Sequence, residues 1–592
     1  MNIQECDILC ALIENPCSTQ RSLSKYTGHS LGIVNRCIKS LISSGHLDSD
    51  MNLTPKALSE FEKSSPKNAI ILAAGFGMRM VPINTETPKG LLEVHGETLI
   101  ERLIRQLREV NINDIYIIVG FMKEQYEYLI DTYGVKLIVN AEYASKNNLH
   151  SLKLALSHLS NSYIVPCDIW CKENPFNCHE LYSWYMVSDI WDPDSSVRAN
   201  RKKELICTSE SEGGNSMIGI SYICKTEAEE VKKRICELSS DSRYNGAFWE
   251  EALYKKGRMI ASARLAKSSN IAEINTYEQL RELDSGSNHL KSDAIEIASN
   301  VLGVSEEEIC NITTLKKGMT NRSFLFSCKG RKYIMRIPGE GTEYLINRYN
   351  EFDVYRALKG KHICDDIQYI NPDNGYKITQ FLENAHVCNP QNRSEVKKCM
   401  RKLRQFHAMH LKVNHRFDLY EQIDFYESLW GNVPSMYKDY EDTKRNVLSL
   451  RSYIESHVTQ EVLTHIDAVP DNFLFTTDSN GNESIRIIDW EYAGMQDPHV
   501  DIAMFCIYSF YDKNDIDKTI ADYFPKNCPE STKIKIYCYV ATCGLLWSNW
   551  CEYKRNLGID FGEYSLKQYR YAKDYYRIVK DELKGSELKC PE

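Results

Sequence analysis

The stretch 465–475, HIDAVPDNFLF, is followed after a short predicted hairpin by 485–490, IRIIDW. Asp467 and Asn472 are separated by four residues, and Asp489 ends an apolar strand. A proton acceptor and two oxygen ligands for Mg²⁺ at this spacing surround one phosphoryl group. The stretch therefore predicts a phosphoryl-transfer site in which Asp467 accepts the proton of the substrate hydroxyl, while Asn472 and Asp489 bind Mg²⁺.

The nucleotide end of this site is predicted further upstream. KKGMTNRSF (316–324) is typical of a loop that covers phosphates, with Gly318 and the backbone near Thr320 and Asn321 closest to them. In the strand KYIMRIPG (332–339), Arg336 is expected at the phosphates, and Glu351 on the following helix is expected to orient it. The alternative for this charged pair is a solvated surface contact.

A small strand-rich portion followed by a larger helical portion predicts two lobes. From about Thr314 to Tyr553, the motifs resemble bacterial choline kinases and, more distantly, the aminoglycoside phosphotransferases that share the protein-kinase fold. The resemblance implies an α+β two-lobed kinase-like domain that takes ATP as phosphoryl donor and choline as acceptor. The arginine at position 336 is consistent with the resemblance, because this family tolerates arginine where protein kinases have lysine.

The predicted acceptor site is aromatic. LLWSNWCEYKR (545–555) places Trp547, Trp550 and Tyr553 on one helical face, where they would stack on a trimethylammonium group. Trp490, in the stretch 489–492 that resembles choline kinases, is a further predicted acceptor residue, and Glu491 would balance the positive charge. The alternative for the aromatic face is a stripe of core residues, which is what this spacing usually means.

A second nucleotide site is predicted near residue 75. LAAGFGMRM (72–80) is a buried strand that runs into a glycine turn, and PKGLLEVHGETLIE follows from residue 88. The turn lets the backbone approach phosphates, and two basic residues would hold a triphosphate and neutralise the leaving pyrophosphate. The predicted nucleotide-binding residues are Ala73, Ala74, Gly75 and Gly77, and the predicted catalytic residues are Arg79 and Lys89.

Within residues 68–283, NAEYASKNNLHSL (140–152) and AEINTYEQL (272–280) resemble bacterial phosphocholine cytidylyltransferases. The resemblance implies CTP and phosphocholine as substrates, with Asp168 as a Mg²⁺ ligand. Glu273 and Asn275 on the closing strand are the further metal ligands that it implies. Asn275 stands where the family usually has Asp, and an amide oxygen is an adequate Mg²⁺ ligand.

The amine end of the second site is predicted from aromatic residues near a carboxylate. Trp170 lies close to Asp168 in sequence, and the run Phe248-Trp249-Glu250 supplies two rings and a negative charge. Aromatic faces and a nearby carboxylate are what a quaternary ammonium group needs. The alternative is that these rings belong to the core.

Residues 1–65 show three helical blocks, a turn, a short hairpin and a further helix from Pro55. This order resembles a winged helix-turn-helix domain, whose recognition helix would present Asn35, Arg36 and Lys39. The segment has about as many acidic as basic residues, which does not favour phosphate contacts. DNA binding and a regulatory or dimerising role both remain open.

The predicted protein is multidomain: a winged helix-turn-helix over 1–65, an α/β doubly wound, Rossmann-like nucleotidyltransferase over 66–286, and the kinase-like domain over 292–592. The polar stretch 284–293 is the expected linker. The net charge of -9 gives no general attraction to nucleic acid or anionic membrane. The 21 cysteines without zinc-type spacing, and the absence of an apolar run long enough for membrane insertion, predict a cytoplasmic protein.

Taken together, the motifs predict a bifunctional enzyme that phosphorylates choline with ATP and then joins phosphocholine to CTP, giving CDP-choline, with Mg²⁺ at both sites. Two alternatives stay open. The same chemistries could act on ethanolamine or an aminoalkylphosphonate, or the chain could be a transcriptional regulator that senses metabolites through degenerate enzyme domains.

Overall fold

A computed structural model describes residues 1–15, 19–83, 87–209, 212–315, 321–339, 345–431, 433–477, 481, 483–556 and 561–587. The chain divides into two compact units. Unit 1 comprises Met1–Glu296 with Ile312–Thr314, and unit 2 comprises Ile297–Asn311 with Leu315–Glu592. The three predicted domain ranges remain predictions.

Unit 1 begins with four helices: α1 (Ile3–Glu14), α2 (Gln20–Thr27), α3 (Leu31–Ser43) and α4 (Pro55–Ser64). An antiparallel bridge between Leu47 and Leu53 closes the short wing between α3 and α4. The start of α4 follows from local chemistry, because the Thr54 side chain caps the helix and Pro55 occupies its first turn. The predicted winged helix-turn-helix fold is confirmed.

The winged helix-turn-helix domain packs against the following part of unit 1 through α1. The Asp7 carboxylate accepts hydrogen bonds from Tyr182 Oη at 2.8 Å and Lys203 Nζ at 2.6 Å, and lies 2.7 Å from His29 Nε2. Leu181 packs against the small helical core. The domain is therefore fastened at α1, while Arg36 and Lys39 on α3 are exposed.

The strands between residues 68 and 273 form one ten-stranded sheet and two two-stranded sheets. Numbered in chain order, they are β1 (Asn68–Ala73), β2 (Glu93–Val94), β3 (Glu97–Thr98), β4 (Asp114–Val119), β5 (Lys136–Val139), β6 (Ser162–Pro166), β7 (Ile169–Cys171), β8 (Trp184–Asp192), β9 (Val197–Ala199), β10 (Glu204–Cys207), β11 (Gly214–Ile223), β12 (Tyr254–Lys255), β13 (Arg258–Ala266) and β14 (Ile271–Glu273). The helices are α5 (Leu99–Glu109), α6 (Tyr128–Tyr133), α7 (Asn148–Leu154), α8 (Lys225–Ser239) and α9 (Tyr277–Leu283).

The large sheet runs in the order β5-β4-β1-β6-β11-β8-β13-β10-β9, and β12 pairs with β13. Its first four strands are parallel, as the alternation of strands and helices predicts. β11 is antiparallel to β6, and the sheet continues mostly antiparallel beyond it. The adjacent carboxyl ends of β1 and β6 therefore meet at one edge, where the glycine turn and Asp168 follow.

The stretch 284–293 is packed against unit 1 and does not form an open linker. Ser287 Oγ donates to the Glu93 carbonyl at 2.7 Å, and Tyr277 Oη donates to the Leu290 carbonyl at 2.9 Å. Leu290 is buried. These contacts satisfy the polar backbone of a segment that composition alone marks as a linker.

Helix α10 spans Asp293–Leu302, and the remaining elements follow in chain order. The strands are β15 (Cys310–Thr314), β16 (Asn321–Cys328), β17 (Arg331–Pro338), β18 (Ile367–Ile370), β19 (Lys377–Gln380), β20 (His386–Val387), β21 (Val462–Thr464), β22 (Phe473–Thr477), β23 (Glu483–Ile487) and β24 (Gly494–Gln496). The helices are α11 (Arg348–Leu358), α12 (Arg393–His407), α13 (Leu419–Ser428), α14 (Tyr440–Leu448), α15 (Arg451–His457), α16 (His499–Tyr508), α17 (Lys513–Tyr523), α18 (Glu530–Asn556) and α19 (Glu563–Glu587).

Unit 2 has the two predicted lobes. Strands β16, β17, β19 and β18 pair in that order and antiparallel, with α11 following them in the chain. The larger lobe is helical around α18, most of whose residues are buried. A helix that is apolar on all sides belongs in the centre of a bundle. The predicted α+β kinase-like fold is confirmed.

Candidate active sites

The three residues of the opening motif converge in unit 2. Asn472 Nδ2 donates to the Asp467 carbonyl at 2.9 Å and to Asp467 Oδ2 at 3.1 Å. Phe473 pairs with Ile487 across β22 and β23, and the Ile488 N–H donates to the Asn472 carbonyl at 3.0 Å. The hairpin thus brings Asp489 beside Asn472.

The backbone around these residues is held in unusual conformations. Ile466 has φ 70° and Asp489 has φ 66°, both in the left-handed region that non-glycine residues seldom adopt. The buried Asp501 carboxylate accepts from the His465 and Ile466 N–H groups at 3.0 and 2.8 Å. Such strained positions persist only where surrounding contacts fix them, and they cluster at functional sites.

The carboxylates of this site repel one another. Burial, together with the charges of Asp489 and Glu491, raises the pKa of Asp467 to about 8. Burial and the charge of Asp489 raise the pKa of Glu491 to about 7, and burial also raises the pKa of Asp489. A divalent cation would relieve this repulsion, and the oxygen donors Asn472 and Asp489 fit Mg²⁺, which usually completes its coordination with phosphates and water.

Arg336 and Glu351 form a buried ion pair at the predicted nucleotide end. Arg336 Nη1 donates to Glu351 Oε1, and Nη2 donates to Glu351 Oε2 at 2.9 Å. The side chain of Glu351 is 1% exposed, so the surface alternative is wrong. The Arg336 charge, against the cost of burial, keeps the pKa of Glu351 at about 2. Gly318 and Thr320 lie outside the described residues.

One cavity of about 740 Å³ joins the carboxylates to an aromatic wall. Asn321, Arg336, Asp467, Asn472 and Asp489 line one part of it. The rings are in contact in series, and the series comprises Tyr492, Trp547, Trp550, Phe561, Tyr564 and Tyr508. Tyr508 Oη donates to Asp471 Oδ2 at 2.7 Å, so a carboxylate lies at the end of the wall.

Two of the predicted acceptor residues, Trp547 and Trp550, therefore line the cavity. Tyr553 is not among the described residues that line it, because it packs at the edge of the helical core. Trp490 is fully buried, and its indole N–H donates to the Ile487 carbonyl at 2.8 Å. The prediction that Trp490 contacts the acceptor is corrected: its ring packs on Phe406 and His465.

Sequence reasoning missed the members of the wall that lie on other segments: Tyr492, Tyr508, Phe561, Tyr564 and Asp471. Asp471 directly precedes Asn472, which was a usable signal. Tyr508 ends α16, and Tyr564 lies in the first turn of α19. Their distance in sequence from the motif left no local pattern that would assign them.

In unit 1, the second predicted site assembles around Lys89. Lys89 Nζ donates to Asp168 Oδ2 at 2.9 Å and to Asn275 Oδ1 at 2.7 Å. Arg79 Nη2 donates to the same Asn275 oxygen at 3.3 Å. Three segments that are far apart in sequence therefore meet, and Asn275 is held by both predicted catalytic cations.

The glycine turn follows β1 directly, so Ala73 and Ala74 are buried and Gly75 begins the turn. Gly77 has φ +62°, and a Cβ there would come within 2.8 Å of Lys89 Cγ. Any larger residue at this position would displace the lysine from Asp168. The glycine is therefore required both by the backbone and by the approach of Lys89.

The oxygens around Lys89 also fit a divalent cation. Glu273 ends β14, and burial together with the charge of Asp168 raises the pKa of its carboxyl group. Among the described residues, no cluster of three or more His, Cys, Asp or Glu side chains is arranged to hold a metal. Two carboxylates and the Asn275 amide are a donor set for Mg²⁺, with the nucleotide phosphates supplying the remaining ligands.

The predicted amine-binding residues of unit 1 lie in different surroundings. Trp249 is 1% exposed and packs near Tyr185 in the core, so its predicted role as a cage ring is corrected. Phe248 is 58% exposed. Trp170 on β7 is flanked by the Arg102 guanidinium, 5.0 Å from its ring centroid, and by the His95 ring. Glu250 is buried.

Glu250 is expected to destabilise the folded protein as the pH rises. Burial raises its pKa to about 7, whereas an unfolded glutamate ionises near about 4.3. Stability falls through this window, because the folded protein keeps a proton that the unfolded chain has lost. Glu250→Gln should therefore raise the melting temperature more at pH 8 than at pH 5. The rise should be about 2–4 °C for each 1 kcal/mol gained in the free energy of unfolding.

The matched control for this prediction is Glu251→Gln, because Glu251 is adjacent and exposed. Calorimetric scans of both variants at the two pH values test the prediction. A gain that is the same at pH 5 and pH 8, or equal in the two variants, would contradict it.

Three family models match the chain. Residues 312–544 match choline/ethanolamine kinase, residues 69–174 match the MobA-like NTP transferase domain, and residues 1–45 match the winged helix-turn-helix DNA-binding model. The chain is 32% identical over 220 residues to choline-phosphate cytidylyltransferase from Streptococcus pneumoniae, which is 36% of this chain and 96% of the relative. The chain belongs to the choline-phosphate cytidylyltransferase family.

The chain is also similar to two further proteins. One is 2-aminoethylphosphonate cytidylyltransferase from Lancefieldella rimae, 28% identical over 37% of the chain and 92% of the relative. The other is Protein LicA from Haemophilus influenzae, 27% identical over 42% of the chain and 96% of the relative. The chain therefore combines a winged helix-turn-helix domain, a nucleotidyltransferase domain and a choline kinase-like domain.

The family domains imply nucleotide substrates and small-molecule acceptors. In the described part of the chain, none of the helices combines the length and apolar character needed to cross a bilayer.

Proposed function

We propose that unit 2 transfers a phosphoryl group from ATP to choline, and that unit 1 transfers a cytidylyl group from CTP to the resulting phosphocholine, giving CDP-choline and pyrophosphate. The observation that carries the proposal is the single cavity that holds Asp467, Asn472 and Asp489 together with Trp547 and Trp550. The names of the relatives of both domains support consecutive steps on one substrate.

In the proposed phosphoryl transfer, Asp467 accepts the proton of the choline hydroxyl as its oxygen attacks the γ-phosphorus and ADP leaves. Arg336, held by Glu351, contacts the phosphates. Asn472 and Asp489 would hold Mg²⁺, which neutralises charge on the phosphate oxygens when bound. The trimethylammonium group would lie along the aromatic wall, with Asp471 supplying the negative charge.

In the proposed cytidylyl transfer, a phosphate oxygen of phosphocholine attacks the α-phosphorus of CTP, and pyrophosphate leaves. Lys89 and Arg79 would neutralise the charge that develops on the leaving group. Asp168, Glu273 and Asn275 would hold Mg²⁺ against the triphosphate. Asp168 and Asn275 also fix Lys89 in place, which is the part of this arrangement that the structure describes directly.

A second candidate keeps both reactions and changes the amine. The relative from Lancefieldella rimae is named for 2-aminoethylphosphonate, and the kinase model is named for both choline and ethanolamine. In unit 1, the burial of Trp249 leaves fewer ring faces for a methylated ammonium group, which makes a primary ammonium group a second candidate. In unit 2, the aromatic wall favours choline.

The proposal is tested with purified protein, Mg²⁺ and a panel of acceptors. Choline is expected to be phosphorylated with a higher kcat/KM than ethanolamine, and CTP is expected to react with phosphocholine in preference to 2-aminoethylphosphonate. Trp550→Leu should raise the KM for choline more than that for ethanolamine, because a trimethylammonium group has no N–H to donate and depends more on ring faces than a primary ammonium group does. Faster turnover of ethanolamine by the wild-type protein would overturn the choice of choline.

The winged helix-turn-helix domain supports a separate candidate, which is DNA binding. The exposed Arg36 and Lys39 on α3 are the side chains that would contact phosphate, and they lie on a helix other than α1, whose Asp7 bonds to Tyr182 and Lys203. Titration of a labelled duplex at several salt concentrations tests this candidate, since binding through these two residues would weaken with salt and be lost in their alanine variants.

A further inference from the structure

Arg348 occupies a position in unit 2 that helix chemistry alone does not favour. It is the first residue of α11, where the positive end of the helix dipole disfavours a cation. The helix is capped instead by the Asn347 side chain, which accepts from the Tyr349 and Asn350 N–H groups. A residue that goes against the helix-dipole preference is usually held in place by tertiary contacts.

The tertiary contacts of Arg348 form a closed triangle with two other segments. Arg348 Nη2 donates to Asn321 Oδ1 at 2.9 Å, and Asn321 Nδ2 donates to Glu491 Oε2 at 2.9 Å. Arg348 Nη1 lies 3.3 Å from the same Glu491 oxygen, which closes the triangle. The side chains of Arg348 and Glu491 are only 10% and 3% exposed, so water screens these interactions weakly.

The triangle is connected to the predicted phosphate-binding pair. Arg348 Nη1 also donates to Glu351 Oε2 at 3.0 Å, the oxygen that accepts from Arg336 Nη2. The backbone at Gly375, with φ +69°, lies close to the Arg348 guanidinium. A Cβ at this position would lie 3.2 Å from Arg348 Nε. Two guanidinium groups therefore share one buried carboxylate.

The three segments that Arg348 joins each carry a part of the phosphoryl-transfer site. Asn321 lies within 316–324, the loop predicted to cover the phosphates. Glu491 is two residues beyond Asp489, and both line the cavity. Glu351 orients Arg336. One planar fork with several donors satisfies all three at once, which a lysine ammonium on a flexible stem does less well.

We propose that Arg348 is a positioning residue for phosphoryl transfer, an inference that rests on the proposed kinase activity. It holds Asn321 and Glu491 at a fixed separation, and it shares the Glu351 carboxylate with Arg336. It is not assigned a contact with the substrate. Its substitution should weaken the use of ATP and leave the acceptor site intact.

The test compares Arg348→Met, Arg348→Lys and Arg356→Met in the full chain. Arg356 lies on the same helix, is exposed and pairs with Asp353, so its variant controls for loss of an α11 arginine. Arg348→Met is expected to lower kcat/KM for ATP by about 100-fold, the order of loss that a misplacement of about 1 Å produces. Arg348→Lys should recover part of this loss, and Arg356→Met should behave as wild type.

Three readouts distinguish positioning from a general loss of structure. The KM for the acceptor should be unchanged in Arg348→Met, the affinity for a non-hydrolysable ATP analogue should fall, and the change in melting temperature should not track the loss of activity across the two Arg348 variants. An Arg348→Met protein with wild-type kcat/KM for ATP, or equal losses in the acceptor and ATP parameters, would overturn the inference.

Failure of the proposed function would give a different result. A wild-type protein that binds the ATP analogue but phosphorylates none of the amino alcohols would refute the proposed reaction. The positioning role would then be judged by analogue binding, where an Arg348→Met protein with undiminished affinity would overturn it.

Discussion

Asp467→Asn is expected to lower kcat for phosphoryl transfer by about 10²–10⁴-fold, because the variant cannot accept the proton of the acceptor hydroxyl. The hydrogen bond from Asn472 to the Asp467 carbonyl does not depend on the side chain at 467, so the loop geometry should be kept. The change also removes one of three mutually repelling carboxylates, and the variant should fold at least as well as wild type. Coupled detection of ADP with saturating choline and ATP measures the effect.

The matched control is Asp442→Asn on α14, whose exposed carboxylate pairs with Arg445. This variant should keep full kinase activity, and Asp467→Asn should keep full cytidylyl transfer, because the two reactions are assigned to different units. A folded Asp467→Asn protein that retains most of its kinase activity would exclude the proposed role of this residue. Loss of both reactions would contradict the assignment of independent sites.

Lys89→Met is expected to lower kcat for cytidylyl transfer by about 10²–10³-fold, the usual loss when one charge-stabilising donor is removed. Methionine keeps much of the side-chain volume beside Gly77 but loses the ammonium that contacts Asp168 and Asn275. Asp168 then loses its cation, and the developing charge on pyrophosphate is less neutralised. Release of pyrophosphate from CTP and phosphocholine measures the effect.

Lys233→Met on α8 is the control for this substitution, because Lys233 is 76% exposed and contacts only the neighbouring Glu237 among its ionic partners in the described chain. It should retain both reactions. If Lys89→Met transferred the cytidylyl group at the wild-type rate, the charge of Lys89 would have no part in the reaction. If it also lost kinase activity, the effect would be structural.

Short-range patterns predicted the parts of both sites that lie close together in the chain. Asp467, Asn472 and Asp489 are joined by one tight turn and one hairpin, so their spacing constrains their geometry. The parallel half of the unit 1 sheet was predicted for the same reason, since strands that alternate with helices form parallel pairs. The antiparallel half was not predicted, because pairing between distant strands leaves no local periodicity.

For the aromatic residues, the sequence patterns did not predict which rings line a site and which lie in the core. Trp490, Trp547 and Trp550 look alike in sequence, yet only the last two line the cavity. Trp249 is buried in the core, while neighbouring Phe248 is exposed. An aromatic ring gains free energy from burial in a core or from a ligand, and the sequence does not distinguish these two outcomes.

The amino-acid sequence by itself determined the three folds, and it predicted the members of the two proposed reaction centres that lie close together in the chain. Only the tertiary structure decided which further side chains join them: Asp471 and Tyr508 at the acceptor wall, and Arg348 between Asn321 and Glu491. The physical reason is that turn geometry and hydrophobic periodicity act over a few residues, whereas buried charges find their partners through packing of the whole chain.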